Sequence, residues 1–198
     1  MAVEDIFLGP VKVWRAPSGT AKPDETTIAF GEAWGAGWTV LGYTKTPTSM
    51  NYETEELDVK IEESLGAVKR RKTDEALTIE TTLAELTAAN MAVAVGGTVV
   101  STVAGAGQRA YEELEVGDEP VLTEYAWGLE GEYVDSAGAS FPVRFFVHKG
   151  TAKLGGALEF GKEDYPGITL QVKALMDLTQ TAGERLFVMQ RVTAELVS

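Results

Sequence analysis

Paired glutamates at Glu55-Glu56, Glu62-Glu63 and Glu112-Glu113 are the residues of this chain whose type first suggests chemistry. Two carboxylates held close together share a proton, or flank a glycosidic bond as acid and base. Neighbours in a strand point to opposite faces, so pairs adjacent in sequence do not form such a site. Carboxylates that converge from separate strands leave no mark in a sequence. His148 is the single histidine and stands beside Val147 in a strand-like run, where a structural or surface role is the plainer reading. A helix-borne histidine pair is missing, which excludes a zincin site. Asp135-Ser136-Ala137-Gly138 lacks the spacing of a calcium loop. With no cysteine there is neither a disulfide framework nor a thiolate metal site. The residues imply no active site, no metal and no cofactor.

Two further stretches invite a binding role. Trp34-Gly35-Ala36-Gly37-Trp38 is glycine-rich, but a phosphate cradle needs a helix opening after it, and a lysine for the P-loop type. The next residues are Thr39-Val40-Leu41-Gly42-Tyr43, another strand, so the stretch reads as a turn whose aromatics cover a core edge. Lys69-Arg70-Arg71-Lys72 is the one concentrated basic run in a chain of net charge −13. It lacks the interleaved aromatics of a nucleic-acid site, and the acidic chain as a whole repels phosphate. A solvated loop tip is one reading, and a patch that meets acidic surface on a neighbouring copy is another.

These residues must be positioned by a chain of 198 residues, 44% of them hydrophobic, which suffices for one packed domain. No stretch has the apolar length of a membrane span, so no stable membrane association is expected. The start, Met1-Ala2-Val3-Glu4-Asp5-Ile6, shows no secretory signal, and the expectation is a protein made and matured in the cytoplasm.

The organising stretch runs from Leu41 to Gly97. Leu57, Val59 and Ile61 alternate with Asp58, Lys60 and Glu62, the period of a half-buried strand. Leu77, Ile79 and Leu83 alternate likewise with Thr78, Glu80 and Thr82. The connection 63–75 is too long for a tight turn, and loops of that length tend to be functional or disordered. Glu85 to Gly97 reads as the one convincing helix, with Thr87 as N-cap and Gly96 or Gly97 ending it in the left-handed conformation. Further strands are expected at Val11–Trp14, Thr39–Tyr43, Val99–Val103, Leu122–Gly131, Phe141–His148, Thr151–Phe160, Ile168–Met176 and Arg185–Val192. Phe7-Leu8-Gly9-Pro10 reads as a turn. The whole predicts a mainly β chain: an antiparallel β-sandwich or half-barrel with one short flanking α-helix and a long hairpin loop.

The order of Gly37-Trp38-Thr39-Val40-Leu41-Gly42-Tyr43-Thr44, the long hairpin, Glu85 through Asn90 leading into an alanine-rich helix closed by Gly96-Gly97, and Phe160 to Asp177 with its Tyr165-Pro166-Gly167-Ile168 turn resembles the major tail tube proteins of long-tailed bacteriophages. The likeness covers about residues 37–97 and 141–188. It implies a single tail-tube domain over 1–198, with an amino-terminal arm over about 1–30 and an insertion over about 98–140. It also implies a virion protein, assembled in the host cytoplasm, that forms hexameric rings stacked into a hollow tube. Partners would be further copies of itself, the tape-measure protein, the tail terminator and the tail-tip or baseplate initiator, with DNA only passing through the lumen. The fold is shared with the tube proteins of type VI secretion.

On that resemblance Glu56, Asp58, Lys60, Glu62, Thr78, Glu80 and Thr82 share one polar face that lines the lumen. An acidic lumen lets DNA slide without sticking. The connection 63–75 becomes a stacking loop whose Lys69, Arg70, Arg71 and Lys72 meet acidic surface on the next ring. The arm and the tail after Thr179 add ring-to-ring contacts. The alternatives are a non-polymerising β-sandwich interaction module, such as a baseplate, tail-tip or adhesin component, and an enzyme whose carboxylates converge in the fold.

Overall fold

A computed structural model describes residues 10–25, 27–35, 37–118, 120–135, 138–162 and 165–194. Phe7 to Gly9 of the expected turn at Phe7–Pro10, the middle of the Asp135–Gly138 turn and the end of the tail lie outside them. The strands are β1 (Lys12–Pro17), β2 (Thr39–Val40), β3 (Ser49–Lys60), β4 (Ala67–Leu83), β5 (Thr98–Thr102), β6 (Tyr111–Glu115), β7 (Glu124–Val134), β8 (Ser140–Leu154), β9 (Ile168–Ala174) and β10 (Phe187–Arg191). The helix is α1 (Ala88–Val95). The main sheet runs β2-β1-β7-β8-β9-β4-β3, with β10 also pairing β8, while β5 and β6 form a separate ribbon. All pairings are antiparallel. The chain is the mainly β sandwich with one short helix that the strand rhythm predicts.

The core shows how the sheet is folded over. β1 and β4 are separated by β7, β8 and β9, so a flat sheet would hold them about 19 Å apart. Yet Val13 of β1 and Leu77, Ile79 and Leu83 of β4 belong to one buried cluster with Trp127, Val147, Leu170 and Val172. Val93 and Ala94 of α1 close it. The helix is capped as its sequence indicates: the Thr87 hydroxyl accepts from the Asn90 amide at 3.1 Å, and Gly96 and Gly97 take φ of 75° and 104°. Asn90 is buried inside the joint and donates to the carbonyls of Leu41 and Glu85 at 3.2 and 3.1 Å.

A second layer covers the opposite face of β1, β7 and β8. Trp14, Gly128 and Phe146 stand side by side across these three strands. Trp34 lies on them, stacked on Trp14 with centroids 5.0 Å apart and tilted against Phe146 at 5.2 Å. Any side chain at Gly128 would overlap the Trp34 ring. The turn at residues 34–38 thus covers a core edge with its aromatics. Beside it lies a fully buried ion pair: Arg144 Nε donates to Glu130 Oε1 at 3.1 Å, with both side chains 0% exposed. Arg144 also donates to the carbonyls of Ile28 and Ala29 at 2.7 and 3.3 Å, which pins the covering loop to the sheet.

Several expected boundaries move. Lys12–Pro17 is built into the sheet between β2 and β7, and the segment beyond it covers that sheet, so the described part of the expected arm over about 1–30 is joined to the body. Glu124–Val134, within the expected insertion over 98–140, is β7, a strand of the main sheet paired on both edges by β1 and β8. Only the β5–β6 ribbon and its exits stand apart. β6 is a strand despite its acidic sequence because only one side of it is covered. β8 runs straight through Lys149-Gly150: Gly150 is needed where a Cβ would come 3.0 Å from the Lys173 carbonyl and 3.2 Å from the Trp127 ring.

Candidate functional site

The connection expected over 63–75 is largely strand. β3 ends at Lys60 and β4 begins at Ala67, leaving 61–66 as the turn, with the Ser64 amide donating to the Ile61 carbonyl. Lys69, Arg70, Arg71 and Lys72 therefore lie in β4, where alternation divides them between two faces. β4 meets β9 only over Thr78–Leu83, and among the described residues β3 has no strand on its other edge. Beyond Ala76 the hairpin is a free two-stranded ribbon, reaching about 33 Å from the body at the usual strand rise. Every residue of β3 is exposed. Two-stranded ribbons are marginal in water by themselves.

Register decides what each face carries, because residues directly opposite each other in an antiparallel pair share a face. Tyr52 lies opposite Leu77 and Met50 opposite Ile79, so the core-side face of β3 holds Met50, Tyr52, Glu56 and Asp58. A bulge at Thr73 puts Lys72 opposite Glu56 and Arg70 opposite Asp58 on that same face. The outer face holds Leu57 opposite Arg71 and Val59 opposite Lys69, then Glu55 opposite Asp74 and Asn51 opposite Thr78. Glu80 and Thr82 continue that outer face.

The seven residues expected to line one face are thus separated. Glu56, Asp58 and, by alternation, Lys60 lie on the core side, Thr78, Glu80 and Thr82 on the other, and Glu62 is in the turn. Leu57, Val59 and Ile61, expected against the core, are exposed at 57%, 42% and 47%. A signal for this was present in the sequence. The apolar phase changes between Tyr52 and Leu57, so Met50 and Tyr52 cannot share a face with Leu57, Val59 and Ile61.

The core-side face of the ribbon satisfies its own charges. Arg70 donates to Asp58 at 2.7 Å and approaches Glu56 at 3.3 Å. Lys72 donates to the Tyr52 hydroxyl at 2.8 Å and pairs with Glu75 at 3.0 Å. The hydrogen bond from Arg70 holds the Asp58 carboxyl below its ordinary value, and Lys72 does the same for Glu75. Because Asp58 is depressed when folded, its contribution to ribbon order is complete above the ordinary carboxylate range. It is lost as pH falls through the depressed value. In an NMR titration, Arg70→Ala is expected to move the Asp58 midpoint up towards an ordinary aspartate; an unmoved midpoint would mean the pair does not persist in solution. Two of the four basic residues are therefore committed within the hairpin, not to a neighbour's acids. Lys69 and Arg71, on the outer face, have no acidic partner among the described residues.

The polar face of the sheet continues from the ribbon into the body. It carries Glu53, Glu55, Asp74 and Glu80 at the hairpin end and Lys153 and Lys173 towards β8 and β9. Gln171 donates to Glu80 at 2.6 Å. The paired glutamates point apart: Glu55 faces with Asp74 and Glu56 with Lys72, while Glu113 lies opposite Val100 and Glu112 opposite Ser101. His148 sits in β8 with its Nε2 enclosed and unpartnered. Among the described residues no group of three or more His, Asp or Glu is placed to hold a metal ion, and no helix is long and apolar enough to cross a membrane.

A protein-family model described as phage tail tube protein matches residues 7–190. No curated protein matches the chain.

Proposed function

The chain belongs to the phage tail tube protein family, structural proteins of the virion tail, and from that premise we propose that it polymerises as stacked six-membered rings. The rings assemble around a tape-measure protein in the host cytoplasm, between a tip or baseplate initiator and a terminator, and the finished lumen conducts DNA during ejection. The observation that carries this reading is the free ribbon of β3 and β4, exposed on both faces and longer than a solitary monomer has use for. The sheet edges support it. Among the described residues β2 and β3 end the sheet with open edges, which are an aggregation liability in a monomer. In a ring, one edge meeting the other of the next copy is a heterologous contact that closes.

The lumen wall on this reading is the polar face bearing Glu53, Glu55, Asp74, Thr78, Glu80 and Thr82, since the opposite face packs the core. Its acidic hairpin end repels phosphate and keeps DNA mobile. Negative-stain electron microscopy of the purified chain across a concentration series tests the proposal. Hollow tubes or stacked six-fold rings are expected. Monomers alone, even with a tail-initiation complex supplied as nucleus, would sink it in favour of a non-polymerising tail module.

A further inference from the structure

The β3–β4 ribbon leaves a basic and apolar face uncovered, and the fold elsewhere presents its acidic counterpart. In the β5–β6 ribbon, Val99 lies opposite Leu114, and both are half-buried on the side that packs α1. The other side carries Val100 opposite Glu113, Thr98 opposite Glu115, and Tyr111. Val100 and Tyr111 are 42% and 49% exposed. Neither Glu113 nor Glu115 has a basic partner among the described residues. Gly97, at φ 104°, lets the chain leaving α1 lie against the Glu115 backbone. Within one chain β5 and β6 pack on each other and on α1, while the partner of β3 is β4.

We propose that the distal part of the outer face of the β3–β4 ribbon, beyond Glu55 and Asp74, docks on the outer face of the β5–β6 ribbon of a second copy, while the part nearer the body stays on the lumen wall. Lys69 and Arg71 pair there with Glu113 and Glu115, and Leu57 and Val59 cover Val100 and Tyr111. The spacing fits. Lys69 and Arg71 are two residues apart on one face of a strand, about 6.7 Å, and Glu113 and Glu115 have the same spacing. Both ion pairs therefore form at once when the two strands lie alongside. Apolar cover raises their worth by excluding water, and charge complementarity fixes register between two chains that repel each other overall. A contact between two different surfaces propagates as a stack without being used up.

This inference rests on the polymerisation proposed above and names the surface that the projecting ribbon meets. The test is a charge exchange read by sedimentation and electron microscopy. K69E/R71E and E113K/E115K are each expected to raise the concentration at which tubes form by at least about tenfold. The quadruple variant carrying both exchanges restores the pairs in reverse and is expected to assemble close to wild type. E113K/E115K makes the chain less acidic, so its loss of assembly cannot come from general repulsion. Thermal melts of the unassembled variants check that each still folds. Wild type that forms tubes while E113K/E115K forms them equally well, or a folded quadruple variant that does not recover, overturns this docking and leaves the tube intact. A wild type that never assembles defeats the earlier reading instead.

Discussion

Arg144→Met is expected to cost about 3–5 kcal/mol of folding stability, because it leaves a buried carboxylate without its countercharge. Glu130 is 0% exposed, and among the described residues its side chain's only hydrogen bond is the one from Arg144 Nε. The same substitution frees the carbonyls of Ile28 and Ala29, the attachment points of the covering loop. Urea denaturation of the unassembled chain is the measurement, with Glu130→Leu/Arg144→Met as its companion. The double variant is expected to recover most of the loss, since a buried ion pair adds little over apolar residues of similar volume. A single variant within about 1 kcal/mol of wild type would mean that water reaches the pair and the loop is looser than its hydrogen bonds indicate.

Trp34→Ala is expected to cost a comparable amount, about 3–5 kcal/mol, by emptying the layer over β1, β7 and β8. Trp34 is 3% exposed and lies against Trp14, Trp38 and Phe146. Gly128 supplies an internal control. Gly128→Ala pushes a methyl into the ring and is expected to cost about 1–3 kcal/mol in the wild-type chain. In the Trp34→Ala background the same methyl enters space that has been vacated, and most of its cost should vanish. The resulting coupling in a double-mutant cycle measures the contact itself. Additive costs would show that Gly128 is required for its backbone and not for the approach of Trp34.

The organisation legible in the chain was whatever depends on local order. Alternation gave the strands at Ala76–Leu83 and Ile168–Met176, because side chains repeat every two residues wherever a strand has one covered face. Thr87 and Gly96-Gly97 marked the helix ends, since capping is settled within a single turn. The aromatic-glycine turn at 34–38 was legible as a cover for a similarly local reason: a strand, not a helix, comes directly after it. Glu130 and Arg144 carried no signal, for a buried charge looks like any other until its partner and its burial are both known. β8 was split at Gly150 because a glycine demanded by close packing is indistinguishable in sequence from one demanded by a turn.

The sequence by itself therefore determined the class of fold, the single capped helix, the absence of thiol chemistry and the family resemblance that the match over residues 7–190 bears out. The tertiary structure alone decided which face of the hairpin is which. Alternation states that Leu57, Val59 and Ile61 share a face. It does not state that this face is the core's, and pairing with Leu77 and Ile79 puts Met50 and Tyr52, not Leu57, Val59 and Ile61, on the core side of the strand, although both stay exposed at 36% and 41%. The bulge at Thr73 then set Arg70 and Lys72 against the hairpin's own acids and left Lys69 and Arg71 without an acidic partner among the described residues. A one-residue change of register moves every side chain of a strand to the opposite face. Register is fixed by the neighbouring strand, and that neighbour is not written into the strand's own sequence.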